Sequence, residues 1–312
     1  VSNIIRGISN IKSHQKNGIA TIGNFDGVHK GHQALIKNVL NLAKTSAVPS
    51  TVMTFEPQPL EFFKQIKVAR LTRFREKFLA LQDSGVDNVL VIPFNEAFSA
   101  LSAEDFVKQI LVDGLAVKHV IVGDDFRFGY KRQGDFAFLQ QKGAEYGFTV
   151  TAMPSVLSSE QRISSTLIRL ALAEGNHALA EQLLGHPYTM MGRVVHGDKL
   201  GRQLGFPTAN IYLHREVAPV AGIYTVLMHG IGQEALKGVA NVGIRPTVGG
   251  TRALLEVYLF DFNQDIYGKH VTVEFCKKLR DEERYSNLDL LKEAIAQDVL
   301  EGRRYFREEF VK

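Results

Sequence analysis

Ile19-Ala20-Thr21-Ile22-Gly23-Asn24-Phe25-Asp26-Gly27-Val28-His29-Lys30-Gly31-His32 is the stretch that decides the fold class of the first half of the chain. A short apolar run, a Gly-containing turn and a helical pattern with Leu35, Val39 and Leu42 on one face follow each other directly. That order reads as strand, loop and helix. The glycines let backbone come close to a ligand. A helix start offers free N–H groups and the positive end of a dipole, which suits an anion. His29 and His32 are three residues apart and point to one side if the helix begins there. Two imidazoles so placed can donate to phosphate oxygens and stabilise charge developing on phosphorus. A turn whose histidines only cap or face solvent is the alternative. The stretch is not a dinucleotide G-x-G-x-x-G, and no G-x-x-x-x-G-K-[ST] occurs in the chain.

Outward from this unit, apolar runs at Thr51–Phe55, Asn88–Ile92, Val117–Val122 and Phe148–Met153 read as strands. Helical spacing lies between them: Phe74, Phe78 and Leu81 up to Gly85, then Ala103–Val112 and Phe136–Tyr146. Strands alternating with helices predict a parallel sheet covered on both faces, with ligands beyond the carboxyl ends of its strands. Ile163-Ser164-Ser165-Thr166-Leu167-Ile168-Arg169 follows the last of these strands. Ser164 or Ser165 caps the next helix, and Thr166 and Arg169 share a face. Hydroxyls, N–H groups and a guanidinium make a phosphate clamp; a plain cap with a surface arginine is the bland reading.

Near residue 186 the pattern changes to strand-like runs at Thr189–Val195, Ile223–Met228, Gly238–Val242, Ala253–Phe260 and Val271–Phe275, separated by Gly, Pro and Asn. This predicts a small barrel or sandwich, closed by a helix with Leu288, Leu291, Ile295 and Val299 in one stripe. The domain boundary is therefore expected near residue 185, giving domains 1–185 and 186–312. In Gly197-Asp198-Lys199-Leu200-Gly201-Arg202-Gln203-Leu204-Gly205-Phe206-Pro207-Thr208-Ala209-Asn210 the glycines suit a loop around a phosphate chain; a turn-rich barrel loop is the alternative. Thr208 and Asn210 share a face if extended and offer neutral oxygens to a Mg2+ that keeps phosphates and waters. Glu256 sits in an otherwise apolar strand, where burial would raise its pKa and make it a candidate general base; an edge-strand glutamate or an ion pair, with Arg245 for example, is the alternative.

Composition narrows the function classes. The chain has 312 residues, a formal charge of +4 and one cysteine, Cys276. No intramolecular disulfide and no site of several thiolates can form. The N-terminus lacks a signal-peptide pattern, and no long uninterrupted apolar stretch predicts a membrane span. A cytoplasmic, reducing setting is expected, and the start at Val1 carries the expectation of one or more leading residues. The charge suits nucleotide ligands without demanding nucleic acid.

H-x-G-H after the first strand and I-S-S-T-x-x-R after the last resemble the nucleotidylyltransferase superfamily. The longer T-I-G-N-F-D-G-V-H-K-G-H, with Phe55-Glu56-Pro57-Gln58-Pro59 and Gly123-Asp124-Asp125-Phe126-Arg127-Phe128-Gly129, resembles the FMN adenylyltransferase module of bacterial bifunctional riboflavin kinase/FAD synthetases. The glycine-rich run ending P-T-A-N, with Gly238-Val239-Ala240-Asn241-Val242-Gly243-Ile244-Arg245-Pro246-Thr247 and L-E-V-Y-L-F-D-F, resembles the riboflavin kinase barrel. The resemblance covers nearly the whole chain.

It implies an α/β nucleotidylyltransferase-type parallel-sheet domain followed by a small six-stranded antiparallel β-barrel with a C-terminal helix. It implies two activities: phosphorylation of riboflavin to FMN, and transfer of AMP from a second ATP to FMN, giving FAD and pyrophosphate. Glu256 would take the proton of the ribityl hydroxyl, Thr208 and Asn210 would hold Mg2+, and Gly197, Lys199, Gly201, Gly205, Pro207 and Arg280 would line the substrate and nucleotide sites of the barrel. His29 and His32 would stabilise the attacked phosphate, with Gly23, Asn24, Asp26, Asp125, Ser165, Thr166 and Arg169 around the nucleotide. Phe55, Pro57 and Phe62 would lie on the flavin side. The partners implied are ATP, riboflavin and FMN, with no nucleic acid and no membrane; a homo-oligomer is left open. A monofunctional adenylyltransferase, a flavin-storage protein and a nucleic-acid-binding module are the rival readings, the last without a concentrated basic patch to support it.

Overall fold

In chain order the first half runs β1 (Asn3–Arg6), β2 (Ile19–Ile22), α1 (Lys30–Thr45), β3 (Ser50–Glu56), α2 (Pro59–Lys64), α3 (Phe74–Asp83), β4 (Asn88–Pro93), α4 (Glu96–Ser99), α5 (Ala103–Asp105), β5 (His119–Gly123), α6 (Phe136–Tyr146), β6 (Thr149–Met153) and the short pair β7 (Leu157–Ser158) and β8 (Gln161–Arg162). The structure is a computed structural model and describes residues 2–64, 68–158, 161–197, 200–247 and 250–309. β1 to β6 form one sheet in the order β1-β4-β3-β2-β5-β6, every pair parallel. The strands are apolar on both faces because both faces are covered. Ala20, Ile22, Met53 and Leu90 point into one core with Phe106, Val107 and Ile110. Ile19, Val52, Val89 and Ile121 point into the other with Ile36 and Val39 of α1.

The structure departs locally from the sequence reading in two places. The helix expected over Ala103–Val112 begins as α5 but winds as a π-helix over Phe106–Gly114. β1 was not expected: only Ile5 of its four residues is buried, so an edge strand leaves no hydrophobic period to read.

The second half contributes α7 (Ser165–Ala173), α8 (His177–Leu184), β9 (Thr189–Val195), α9 (Leu200–Gln203), β10 (Thr208–Tyr212), β11 (Gly222–His229), β12 (Leu236–Thr247), β13 (Gly250–Leu259), β14 (His270–Arg280) and α10 (Leu288–Glu309). Its six strands close an antiparallel barrel in the order β10-β13-β12-β11-β14-β9. Leu255, Val257 and Leu259 are all but inaccessible and fill the interior, so Glu256, Tyr258 and Phe260 lie on the outer face. A Cβ at Gly302 would come 2.6 Å from Val239 and 3.1 Å from Phe260, so α10 crosses that outer face with a glycine at the contact. Arg280 of β14 fastens the helix: its Nε and Nη2 donate to Asp298 at 2.8 and 2.7 Å.

The chain packs as two units, one of Val1–Val68 with Thr72–Ser164 and one of Ala69–Leu71 with Ser165–Lys312. The division falls before α7, whereas the change of pattern in the sequence puts a boundary near 185. α7 and α8 pack together and α8 packs on β14, while its His177 meets the ring of Tyr224 on β11 edge-on. Ala69–Leu71 joins the same unit through backbone carbonyls: Arg169 Nε donates to Ala69 O at 2.9 Å, Arg215 donates to Arg70 O and Leu71 O, and Tyr188 donates to Leu71 O.

Candidate functional site

In the first unit, β3 and β4 continue from β2 to one side of the sheet while β5 and β6 lie on the other. The strand order therefore reverses between β2 and β5, and the crevice beyond such a reversal is where ligands of open α/β sheets sit. The loop from Gly23 to His29 leaves β2 at that point. Phe25, Gly27 and Val28 all have positive φ, 49°, 82° and 40°. For Phe and the β-branched Val this backbone is strained, about 1–2 kcal/mol each, so the loop must be held from below.

The holding is visible. Phe25 is fully buried. Gly27 N donates to Thr72 Oγ1, while Thr72 N and Oγ1 both donate to Asp26 Oδ1. Gln33 donates to Val28 O, and Thr54 Oγ1 donates to Asn24 O at 3.2 Å.

His29 is the N-cap of α1, its Nδ1 accepting from His32 N. In the neutral ring that leaves the proton on Nε2, a donor. The two imidazoles stack with centroids 3.6 Å apart and planes 17° from parallel. Phe25 closes on His32 at 5.0 Å. His32 Nδ1 is out of solvent and has no hydrogen-bond partner among the described residues. Burial, then the charge of His29, then that of Lys77 hold His32 well below the usual imidazole range, so its ring is neutral at physiological pH.

The other residues expected around this site fall as follows. Asn24 is exposed, and Asp26 is buried with its carboxylate committed to Thr72. Phe55 packs on Phe94 and Phe98, and Phe62 on Phe63 and Phe94, forming one aromatic cluster; Pro57 beside it is exposed. Asp125 is exposed and pairs with Arg162 at 2.8 Å, while its neighbour Asp124 accepts from Ser155. Ser165, Thr166 and Arg169 lie along α7 in the second unit.

On the barrel, register makes the site. Asn210 of β10 and Asn241 of β12 are each directly opposite Glu256 of β13. The three polar side chains thus form a row on the outer face, with Thr208 opposite Tyr258 in the next row. The loop before β10 closes down on them: a Cβ at Gly197 would lie 2.5 Å from the Asn210 amide, and one at Gly201 would lie 3.3 Å from Thr208 Oγ1. Gly205 has φ 89°, Pro207 is exposed, and the ring of Phe206 meets Tyr258 edge-on at 5.4 Å. Lys199 lies outside the described residues, as does the side chain of Arg245.

Thr208 and Asn210 fit a Mg2+ that brings its own phosphate and water ligands. They present two neutral oxygens at alternate positions of one strand face beneath the glycine-containing loop, a donor set that suits a hard cation. Arg280, expected to bind substrate, is held by Asp298 and by Asp281 O. Burial pushes the Cys276 thiol up to about 12, so it carries almost no thiolate.

Residues that sequence reasoning passed over complete both places. Thr54, Thr72 and Lys77 underlie the first loop. Glu282 accepts from Asn241 at 3.3 Å beside the second site. Lys77 left a signal, since it lies between Phe74 and Leu81 on the apolar stripe of α3.

The family described as FAD synthetase matches residues 11–167, and the family described as riboflavin kinase matches 184–306. The first match includes Ser165 and Thr166 and stops short of Arg169. Proteins named bifunctional riboflavin kinase/FMN adenylyltransferase are similar along the whole chain. The one from Escherichia coli K12 is 52% identical over 97% of this chain and 97% of its own. Those from Pseudomonas fluorescens and Haemophilus influenzae are 49% and 47% identical, covering 96% and 97% of this chain and 96% and 99% of their own. A solved structure described as a macrolide-efflux protein from Streptococcus pneumoniae superposes with a TM-score of 0.79 at 31% identity, over 96% of this chain and 97% of that one. Among the described residues here, no helix is long and apolar enough to cross a membrane.

Proposed function

This chain belongs to the bifunctional riboflavin kinase/FMN adenylyltransferase family, and from that premise we propose which of its residues carry each reaction. It is a two-activity enzyme of flavin nucleotide synthesis: riboflavin and ATP give FMN and ADP, then FMN and a second ATP give FAD and pyrophosphate.

For the kinase step, Glu256 accepts the proton of the ribityl hydroxyl as its oxygen bonds to the γ-phosphorus and the bond to ADP breaks. Thr208 and Asn210 would hold Mg2+, which would supply charge neutralisation on the phosphates. Gly197, Lys199, Gly201, Gly205 and Pro207 shape the loop over the phosphate chain. Arg280 contributes by fastening α10 across the same face rather than by touching nucleotide, since Asp298 and Asp281 take up its donors.

For the adenylyl step, an FMN phosphate oxygen attacks the α-phosphorus of ATP and pyrophosphate leaves. No strong base is needed, because the attacking phosphate is already ionised near neutral pH. His29 and His32, through their ring N–H groups, stabilise the charge on that phosphorus. Gly23 and Asn24 approach the nucleotide, and Asp26 holds the loop. Asp125 stands at the neighbouring strand end, Ser165, Thr166 and Arg169 bind phosphate, and the cluster of Phe55 and Phe62 with Pro57 receives the flavin.

The observation that carries the reading is the separation of two polar constellations. His29 and His32 stand at the strand-order reversal of the first unit, and Asn210 and Glu256 face each other on the barrel of the second. Incubation with riboflavin, ATP and Mg2+, resolving FMN and FAD over time, tests it. Glu256→Gln should stop FMN formation yet still convert supplied FMN to FAD. His29→Ala and His32→Ala should do the reverse. Equal loss of both steps in folded variants would overturn the assignment.

A further inference from the structure

Lys77 is fully buried on α3, in the wall beneath the Gly23–His29 loop. An ammonium taken out of water is costly unless its surroundings use the charge. Here its Nζ donates to Thr54 Oγ1 at 3.4 Å, and the same hydroxyl donates to Asn24 O at 3.2 Å. Thr54 has one proton to give; with that spent on Asn24, only its lone pairs face the ammonium, so the order of the chain is forced. Thr54 is itself inaccessible to solvent, so water does not replace either link. The carbonyl so held belongs to the residue before Phe25, where the run of positive φ begins.

We propose that Lys77 is a positioning residue for adenylyl transfer: through Thr54 its buried ammonium holds the Asn24 carbonyl, and so the strained loop that presents His29 and His32 to the attacked phosphate. The inference rests on the assignment of those histidines to the FAD-forming step. The same charge is one of the causes that keep His32 neutral, after burial and His29. It acts on the loop and on the ring from one place that substrate does not reach.

The test uses the full chain, with its own FMN formation as the control for folding. Lys77→Met keeps length and burial but removes the charge. Thr54→Val removes the link and leaves the ammonium, and decides the matter if Lys77→Met fails to fold. Both should lower kcat for FAD formation from supplied FMN by about 10- to 100-fold, as displacement of a preorganised group does. KM for FMN and ATP should change little, because the lost interaction belongs to the transition state. Lys77→Arg should restore most of the rate. Unchanged kcat in either folded variant, a fall in FMN formation of the same size, or a change confined to KM would each overturn the proposal. His32→Ala run in parallel separates the two failures: if it leaves FAD formation intact, the histidine assignment has failed, whatever the Lys77 variants do.

Discussion

Gly197→Ala is the perturbation whose consequence can be worked furthest. A Cβ at that position would lie 2.5 Å from Cγ, Nδ2 and Oδ1 of Asn210, whereas ordinary contact begins at 3.4 Å. Asn210 has little room to yield, being 9% exposed and set between Val195 on one side and Glu256 on the other. The backbone at Gly197 does not have the positive φ that an alanine would resist, so the effect is purely that of the methyl. Either the amide or the loop must give by close to 1 Å. Forcing a methyl into a packed place costs about 1–3 kcal/mol, and a shift of about 1 Å in a positioning group costs on the order of 100-fold in rate. Progress curves for riboflavin and Mg-ATP should therefore show kcat/KM for FMN formation down by about 10- to 100-fold. FAD formation from supplied FMN should stay within about twofold, as expected of sites that share no partner. A folded variant that phosphorylates riboflavin at the parental rate would refute the argument that Asn210 is held in place by the absence of this side chain. A matching fall in FAD formation would refute the independence of the two sites.

Two further predictions concern stability. Asp298→Ala leaves the Arg280 guanidinium without its bidentate partner; charged hydrogen bonds of this kind contribute about 1.5–3 kcal/mol, so the melting temperature should fall by roughly 5–10 °C, and an unchanged value would mean that α10 is held without this pair. His177 is 8% exposed with neither ring nitrogen bonded among the described residues, and burial, then Lys278, lower its pKa from 6.5 to about 4. The unfolded chain therefore binds the extra proton first: stability is whole above pH 6.5 and is lost as pH falls from there toward 4, on the order of 3 kcal/mol in all. His177→Leu should flatten the loss of melting temperature between pH 7.5 and pH 5 (roughly the upper part of that window), and an acid slope equal to the parent's would refute the account.

What could be read from the residues divides along a physical line. The β2–loop–α1 unit was legible because period, glycines and histidines all act locally. The outer row of the barrel was half legible: alternation put Glu256 on one face of its strand, but only the closed register brings Asn210 and Asn241 opposite it. β10 hides in a segment whose Gly and Pro content reads as loop, and β1 is an edge with a single buried side chain. The place of α7 and α8 depended on which surface they cover, which no helical period reports. The residues least visible were charges whose partners are remote in sequence. Arg280, which the resemblance puts at the substrate site, gives its Nε and Nη2 to Asp298 on α10.

Lys77 is the exception. A lysine on the stripe that runs Phe74, Lys77, Phe78, Leu81 breaks the helical pattern without a Gly or Pro to excuse it. Taking its ammonium out of water costs free energy, so its place in the wall calls for an account beyond the apolar packing of α3. The loop above it supplies the counterpart: two non-glycine residues in left-handed backbone also oppose folding. Two unfavourable features joined by one threonine hydroxyl are better explained together than apart, and the joint explanation places both in service of the histidines at the end of the loop.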